Sequence, residues 1–263
     1  MTAFDFTNRT VFVAGGTSGI NLGIAEAFAE AGAKLAVMSR SQARVDAAVQ
    51  RLRSFGGEVL GFSADVRNME ATSAALEATH GAWGDIDVLV SGAAGNFPSP
   101  ALGMSANGFK AVVDIDLLGT FNVLRAAHAV LRKPGAVVVN ISAPQALLPL
   151  ASQAHVCAAK AGVDMLGRVL AIEWGGDGIR INSVIPGPIE NTEGMARLAP
   201  SPEAMRSIAA SVPLGRLGTS RDVANLVMFL ASPWAAYITG AVIPVDGGWS
   251  TSGAGGLASA LRG

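Results

Sequence analysis

The segment Val11-Phe12-Val13-Ala14 runs directly into Gly15-Gly16-Thr17-Ser18-Gly19-Ile20-Asn21-Leu22-Gly23, and this junction restricts the chain to few folds. The apolar run has no polar alternation, as expected of a parallel strand covered on both faces. After the glycines, Ile24, Ala27, Phe28 and Ala31 recur at helical spacing, and Gly32 ends the run. A strand, a glycine turn and a helix place backbone N–H groups and a helix N-terminus against a phosphate. Gly15 permits a sharp turn, and Gly19 permits backbone to approach a pyrophosphate with no Cβ between them. The spacing is Gly-x-x-x-Gly rather than Gly-x-Gly-x-x-Gly, and Asn21 stands where a third glycine is expected. Taken alone, the turn also fits an ordinary strand-to-helix connection.

The same alternation continues along the chain. Strands are expected at Val11–Ala14, Leu35–Ser39, Val59–Phe62, Val88–Ser91, Ala136–Ile141, Ile179–Val184 and Ala241–Val245, and helices near 20–31, 42–54, 69–81, 107–132, 154–174 and 220–231. This predicts one α/β domain over residues 1–263 with a doubly wound parallel sheet. Half of the residues are hydrophobic and 15% are charged, enough to build a large core. A net charge of −1 with no basic run argues against nucleic acid or an anionic membrane surface as partner. The single cysteine, Cys157, rules out an internal disulfide and fits a reducing compartment. The polar first residues, the lack of a long apolar run and the ending Leu261-Arg262-Gly263 lead to the expectation of a soluble cytoplasmic protein. The proline-rich segment 186–213 follows the sixth strand, where an insertion makes a substrate lid, expected over 190–212. The Gly/Ala/Ser-rich tail 250–263 is expected to be loose unless a partner subunit holds it.

The strand ends carry the chemistry. Ser39-Arg40, with Arg44 four residues on, replaces the acidic residue that usually binds ribose hydroxyls. A guanidinium suits a 2′-phosphate, so NADP(H) is the expected cofactor. Asp65, before Val66, either accepts from an adenine amino group or caps the next helix. In Ser91-Gly92-Ala93-Ala94-Gly95-Asn96-Phe97, small residues admit the cofactor and Asn96 and Phe97 face substrate. Asp114 and Asp116 are about 200° apart on a helix and cannot share one site. Asp116 lies among apolar neighbours and must be paired, hydrated or functional. Lys160 is the only basic residue on a small, apolar stretch. His155 lies about 140° around the helix from Lys160 and is read as a plain helix-start residue. Cys157 is read as packing. Pro186-Gly187-Pro188-Ile189 makes a rigid turn able to hold a nicotinamide amide, with Thr192 reaching the same group or the pyrophosphate.

Together with Asn140-Ile141-Ser142, Asn182, Thr239-Gly240 and Asp246-Gly247-Gly248, these motifs resemble the short-chain dehydrogenase/reductase family over about residues 5–250. The resemblance implies a Rossmann fold with sheet order 3-2-1-4-5-6-7 and a homotetramer with the C-terminal segment at an interface. It places the cofactor on Gly15, Thr17, Ser18, Gly19, Ile20, Ser39, Arg40, Arg44, Asp65, Val66, Ala93, Lys160, Pro186, Gly187, Ile189 and Thr192. The family's usual Asn, Ser, Tyr and Lys are represented here by Asp116, Ala143, Val156 and Lys160, so only the lysine remains. Reduction of a ketone needs an acid at its oxygen, and the phenol that normally serves is absent.

A narrower resemblance fits those losses. The Ala93–Phe97 loop, Asp114-Ile115-Asp116 with Gly119-Thr120-Phe121-Asn122-Val123, and Pro186-Gly187-Pro188-Ile189 with Thr192-Glu193-Gly194 are similar to 2,4-dienoyl-CoA reductases of the peroxisomal type. The mitochondrial type has a tyrosine two residues beyond the serine position, where Gln145 stands here. The resemblance implies an acyl-CoA thioester substrate, hydride transfer to C5, and an Asp116–Lys160 pair that manages the proton. It makes Asn96 a donor to the thioester oxygen and places Arg197 near a CoA phosphate. Two alternatives stand beside it: a related enzyme acting on another activated alkene or carbonyl, and a catalytically inactive NADPH-binding protein. No metal is expected.

Overall fold

The computed structural model describes residues 4–199 and 201–254. Seven parallel strands form one sheet in the order β3-β2-β1-β4-β5-β6-β7. They are β1 (Thr10–Ala14), β2 (Lys34–Ser39), β3 (Val59–Ser63), β4 (Val88–Ser91), β5 (Val137–Ile141), β6 (Arg180–Pro186) and β7 (Val242–Val245). Each lies within two residues of its expected limits. Side chains of β1 alternate between two cores, as a strand covered on both faces requires. Val11 and Val13 pack with Ile24, Phe28, Val223 and Val227 on one side, while Phe12 and Ala14 pack with Leu76, Leu124 and Ile181 on the other.

The first layer holds α1 (Gly19–Glu30), α2 (Gln42–Arg53) and α9 (Ser220–Ala231), and the second holds α3 (Met69–Trp83), α5 (Gly119–Ala127) and α6 (Ala154–Trp174). Local sequence explains the ends. Ser41, Asn68 and Thr219 accept backbone N–H groups at the starts of α2, α3 and α9, and Thr219 with Asp222 completes a capping box. Asn68 is thus the cap of α3, and the capping alternative for Asp65 is excluded.

One expectation is corrected, and two regions gain detail. The helix expected over 107–132 is α4 (Ala106–Val113), a π-helical turn Asp114–Leu118, and α5, which ends at Ala127. The region 190–212 contains α7 (Glu193–Leu198) and α8 (Pro202–Ser211), short helices that the prolines had obscured. The tail begins as a 3₁₀ helix, Trp249–Ala254, whose Ser250 N–H donates to Asp246 Oδ2 at 2.8 Å; residues 255–263 lie outside the described residues.

Candidate active site

The C-terminal ends of β1, β2, β3 and β4 open into a cleft of about 280 Å³ lined by Gly15, Thr17, Ser18, Ser39, Arg40, Arg44, Asp65, Val66 and Ala93. Gly15 has φ of 82°, and a Cβ there would lie 2.8 Å from Cα and N of Ala93, so only glycine fits. Gly19 starts α1 at φ 54°, and a Cβ there would meet the Thr192 methyl at 3.9 Å. Thr192 caps α7, donating to Ile189 O at 3.0 Å and accepting from Met195 N at 3.1 Å. Unlike Ser41, Asn68 and Thr219, Ser18 makes no side-chain bond to its own helix. Glycine cradle and uncapped helix start together suit a dinucleotide phosphate. Ile20, Pro186, Gly187 and Ile189 sit outside the walls of this cleft. Pro186 ends β6, Gly187 packs against Asp246, and Ile189 is buried between β6 and α7 in the chain.

Where β2 ends, Arg40 and Arg44 share the cleft wall with Glu193 of α7, and Arg44 pairs with Glu193 at 3.2 Å. Asp65 accepts from the Arg67 guanidinium at 2.6 Å, which holds its carboxyl below the ordinary value. Asn21 also lines the cleft and donates to Gly92 O at 2.7 Å, tying the glycine turn to the loop after β4. The sequence pattern marked Asn21 only as a departure. Its bond to Gly92 spans 71 positions and leaves no local signal.

Beyond this cleft lie Asp116 and Lys160, 1% and 5% exposed. Gly119 N–H bonds to Asp114 O, five residues back, which widens the helix into a π turn at Asp116. Asp114 points outward and pairs with Lys110, so the two carboxylates diverge as expected. Asp116 Oδ1 accepts from Gly95 N at 2.7 Å, and Oδ2 lies 3.5 Å from Lys160 Nζ without an aligned donor among the described residues. Lys160 Nζ also donates to Ile141 O at 3.0 Å. Val156, in the position of the missing phenol, is buried with Val112 and Ala159.

The loop carrying Asn96 leans on the start of α6. Asn96 Nδ2 donates to Gln153 Oε1 at 3.4 Å, and Gln145 Nε2 donates to the same oxygen at 3.0 Å. His155 stands in the first turn of α6, as expected. It is fully buried, and its ring lies 4.6 Å from that of Phe97. Helical spacing alone could not show this, because the covering ring comes from a loop remote in sequence. The Arg197 side chain lies outside the described residues.

A family model described as "Enoyl-(Acyl carrier protein) reductase" matches residues 14–250. The peroxisomal 2,4-dienoyl-CoA reductase [(3E)-enoyl-CoA-producing] of Rattus norvegicus is 44% identical over 247 residues, 93% of this chain and 85% of that protein. A probable 2,4-dienoyl-CoA reductase [(2E)-enoyl-CoA-producing] of Bacillus subtilis is 42% identical over 243 residues, covering 91% and 96% of the two chains. The crystal structure of levodione reductase superposes with a TM-score of 0.89 at 32% identity, covering 94% of this chain and 99% of that one. Sequence, sheet order and glycine-lined cleft agree: the chain belongs to the short-chain dehydrogenase/reductase family.

Proposed function

We propose that this protein is an NADPH-dependent 2,4-dienoyl-CoA reductase. The observation that carries this reading is the buried Asp116–Lys160 pair, beside a phenol position filled by Val156. A ketone's oxygen needs an acid; a conjugated dienoyl thioester spreads its charge over a longer system and needs a proton only at carbon. A nicotinamide held in the cleft would supply the hydride that C5 of the dienoyl chain accepts. The electron pair moves to the thioester oxygen, C2 takes a proton, and the remaining double bond lies between C3 and C4. Asn96, steadied by Gln153, donates to the thioester oxygen. Lys160, fixed on Ile141 O, holds positive charge near the dienolate and binds the nicotinamide ribose. Asp116, fixed by Gly95 N–H, uses Oδ2 with Lys160 to hold the water that protonates C2.

Arg40 and Arg44, with no carboxylate following Ser39, support NADP(H) over NAD(H). The helices at Glu193–Leu198 and Pro202–Ser211 are assigned as the lid over the acyl-CoA. A homotetramer is supported by the exposed apolar side chains Leu118 and Phe121 of the π turn and α5 and Met165, Val169 and Ile172 of α6. A cytoplasmic location is proposed on the single cysteine and the balanced charge. The test is oxidation of NADPH and of NADH by the purified protein with 2,4-hexadienoyl-CoA, crotonyl-CoA and acetoacetyl-CoA. Rapid oxidation of NADPH with the dienoyl thioester alone is expected. Turnover of acetoacetyl-CoA instead, or of none, would overturn the reading.

A further inference from the structure

Between β3 and α3 the chain turns through Asp65, Val66, Arg67 and Asn68, and the backbone of this turn is pinned. Asn68 N donates to Asp65 O at 2.9 Å and closes it. The buried Asn122 of α5 donates from Nδ2 to Val66 O at 2.9 Å. Asn68 Oδ1 accepts from Ala71 N at 3.0 Å, which ties the turn to the first residues of α3. A backbone held in this way sets the Asp65 and Arg67 side chains against each other. Asp65 Oδ1 accepts from Arg67 N and Nε, both at 3.0 Å. Its Oδ2 accepts from Arg67 Nε at 3.1 Å and Nη2 at 2.6 Å.

These contacts limit what Asp65 is able to read. A carboxylate has about four acceptor positions, and Arg67 reaches both oxygens with four contacts of its own. The amino group of an adenine is neutral and a weaker donor than a guanidinium, so it does not displace this partner. Asp65 is nevertheless part of the cleft wall, together with Arg40 and Arg44. The Arg67 guanidinium, fixed to Asp65, therefore sits at the rim of the same cleft. The fork engages the carboxylate with its edge and not with its face, and a guanidinium face is a stacking surface for a flat ring.

We propose that Arg67 binds the adenine ring of the cofactor by stacking, and that Asp65 positions Arg67 instead of accepting from the adenine amino group. Arg67 takes this role on the reading of the cleft as a dinucleotide site, whatever the substrate. Every purine offers a face to a guanidinium, so the contact holds the base without reading its exocyclic group. The arginines of the cleft then divide the work. Arg40 and Arg44 meet phosphate charge, and Arg67 meets the base.

The test is fluorescence titration of the whole protein with NADPH and with deamino-NADPH, the hypoxanthine analogue that lacks the amino group. Wild type is expected to bind the two within about twofold of each other, because the analogue loses no hydrogen bond. Weaker binding of the analogue by about tenfold or more, the worth of a hydrogen bond to a charged group, overturns the proposal. Arg67→Ala should melt with the wild type, since a partly exposed pair adds little stability. It should bind NADPH about threefold or more weaker through loss of the stacked cation. It also frees the Asp65 oxygens, so the variant should begin to favour NADPH over the analogue. An Arg67→Ala protein that binds both dinucleotides as the wild type does overturns the proposal. Arg67→Lys keeps the charge and loses the flat fork. It should weaken both dinucleotides alike, and wild-type affinity in this variant overturns the stacking. If Arg67→Ala proves unstable, Arg67→Lys and the wild-type comparison decide. A protein that binds NADH and not NADPH fails only the 2′-phosphate reading, and deamino-NADH then serves in the same comparison. Binding of neither dinucleotide overturns both.

Discussion

At the residue scale, the site is built from side chains whose charge is cancelled by close neighbours. Asp116 and Lys160 are both almost fully buried, so removing one partner leaves an uncompensated charge and costs about 3–5 kcal/mol. Asp116→Asn keeps the acceptor for Gly95 N–H and loses the charge. It is expected to lower kcat on 2,4-hexadienoyl-CoA by about a hundredfold or more, with Kd for NADPH nearly unchanged. A purely structural pair would instead lower the melting temperature and spare kcat per folded molecule. Lys160→Ala should weaken both turnover and NADPH binding. At the other end of the cleft, Arg40→Asp should reverse or abolish the preference for NADPH by setting a carboxylate beside the 2′-phosphate; equal wild-type affinity for NADPH and NADH, measured by fluorescence titration, would refute the assignment.

At the element scale, α7 brings an acidic residue to a cleft that otherwise carries arginines. Glu193 and Arg44 are each more than half exposed, and such pairs are worth about 0–1 kcal/mol. Glu193→Gln should therefore leave the melting temperature where it is. It should tighten NADPH binding several-fold, because the carboxylate no longer competes for Arg44 or repels the 2′-phosphate; NADH binding, titrated in parallel, should change little. The π turn between α4 and α5 works by shape. Deleting one residue from Asp114–Leu118 should restore regular helix and rotate Asp116 by about 100° away from Lys160, abolishing turnover while far-ultraviolet circular dichroism stays wild type.

At the scale of the whole molecule, stability toward acid depends on carboxylates far from the cleft. Asp87 accepts from Arg132 at 2.6 Å, Arg9 at 2.8 Å and Thr10 N at 2.9 Å. Burial alone would raise its carboxyl, but those three bonds outweigh burial and hold it below the ordinary value. A lowered folded-state pKa gives stability that is present above the unfolded value and lost as pH falls through the folded one. The melting temperature should fall steeply on acidification below the ordinary aspartate range, and Asp87→Asn should melt lower at neutral pH with a flatter acid limb in scanning calorimetry. The apolar stripe on α5 and α6 predicts a closed tetramer. Sedimentation should show one at micromolar concentration, and Ile172→Glu, from the most exposed part of that stripe, should shift it to smaller species without loss of fold.

The sequence by itself determined the sheet, the two helical layers and the glycine turn. Each is written in short-range periodicity and in residues that only one backbone conformation suits. Gly15 and the isolated Lys160 were legible for the same reason. The separation of Asp114 from Asp116 followed from helix geometry, although the helix proved not to be a regular one. Tertiary structure alone decided the π turn, at whose end Gly119 fits against Val66 more than fifty positions away. It also decided the burial of His155 under Phe97, the support of Asn96 by Gln153, and the reach of Glu193 to Arg44. These contacts join segments distant in sequence. Their energy depends on where the folded backbone brings two side chains together, which no local pattern records.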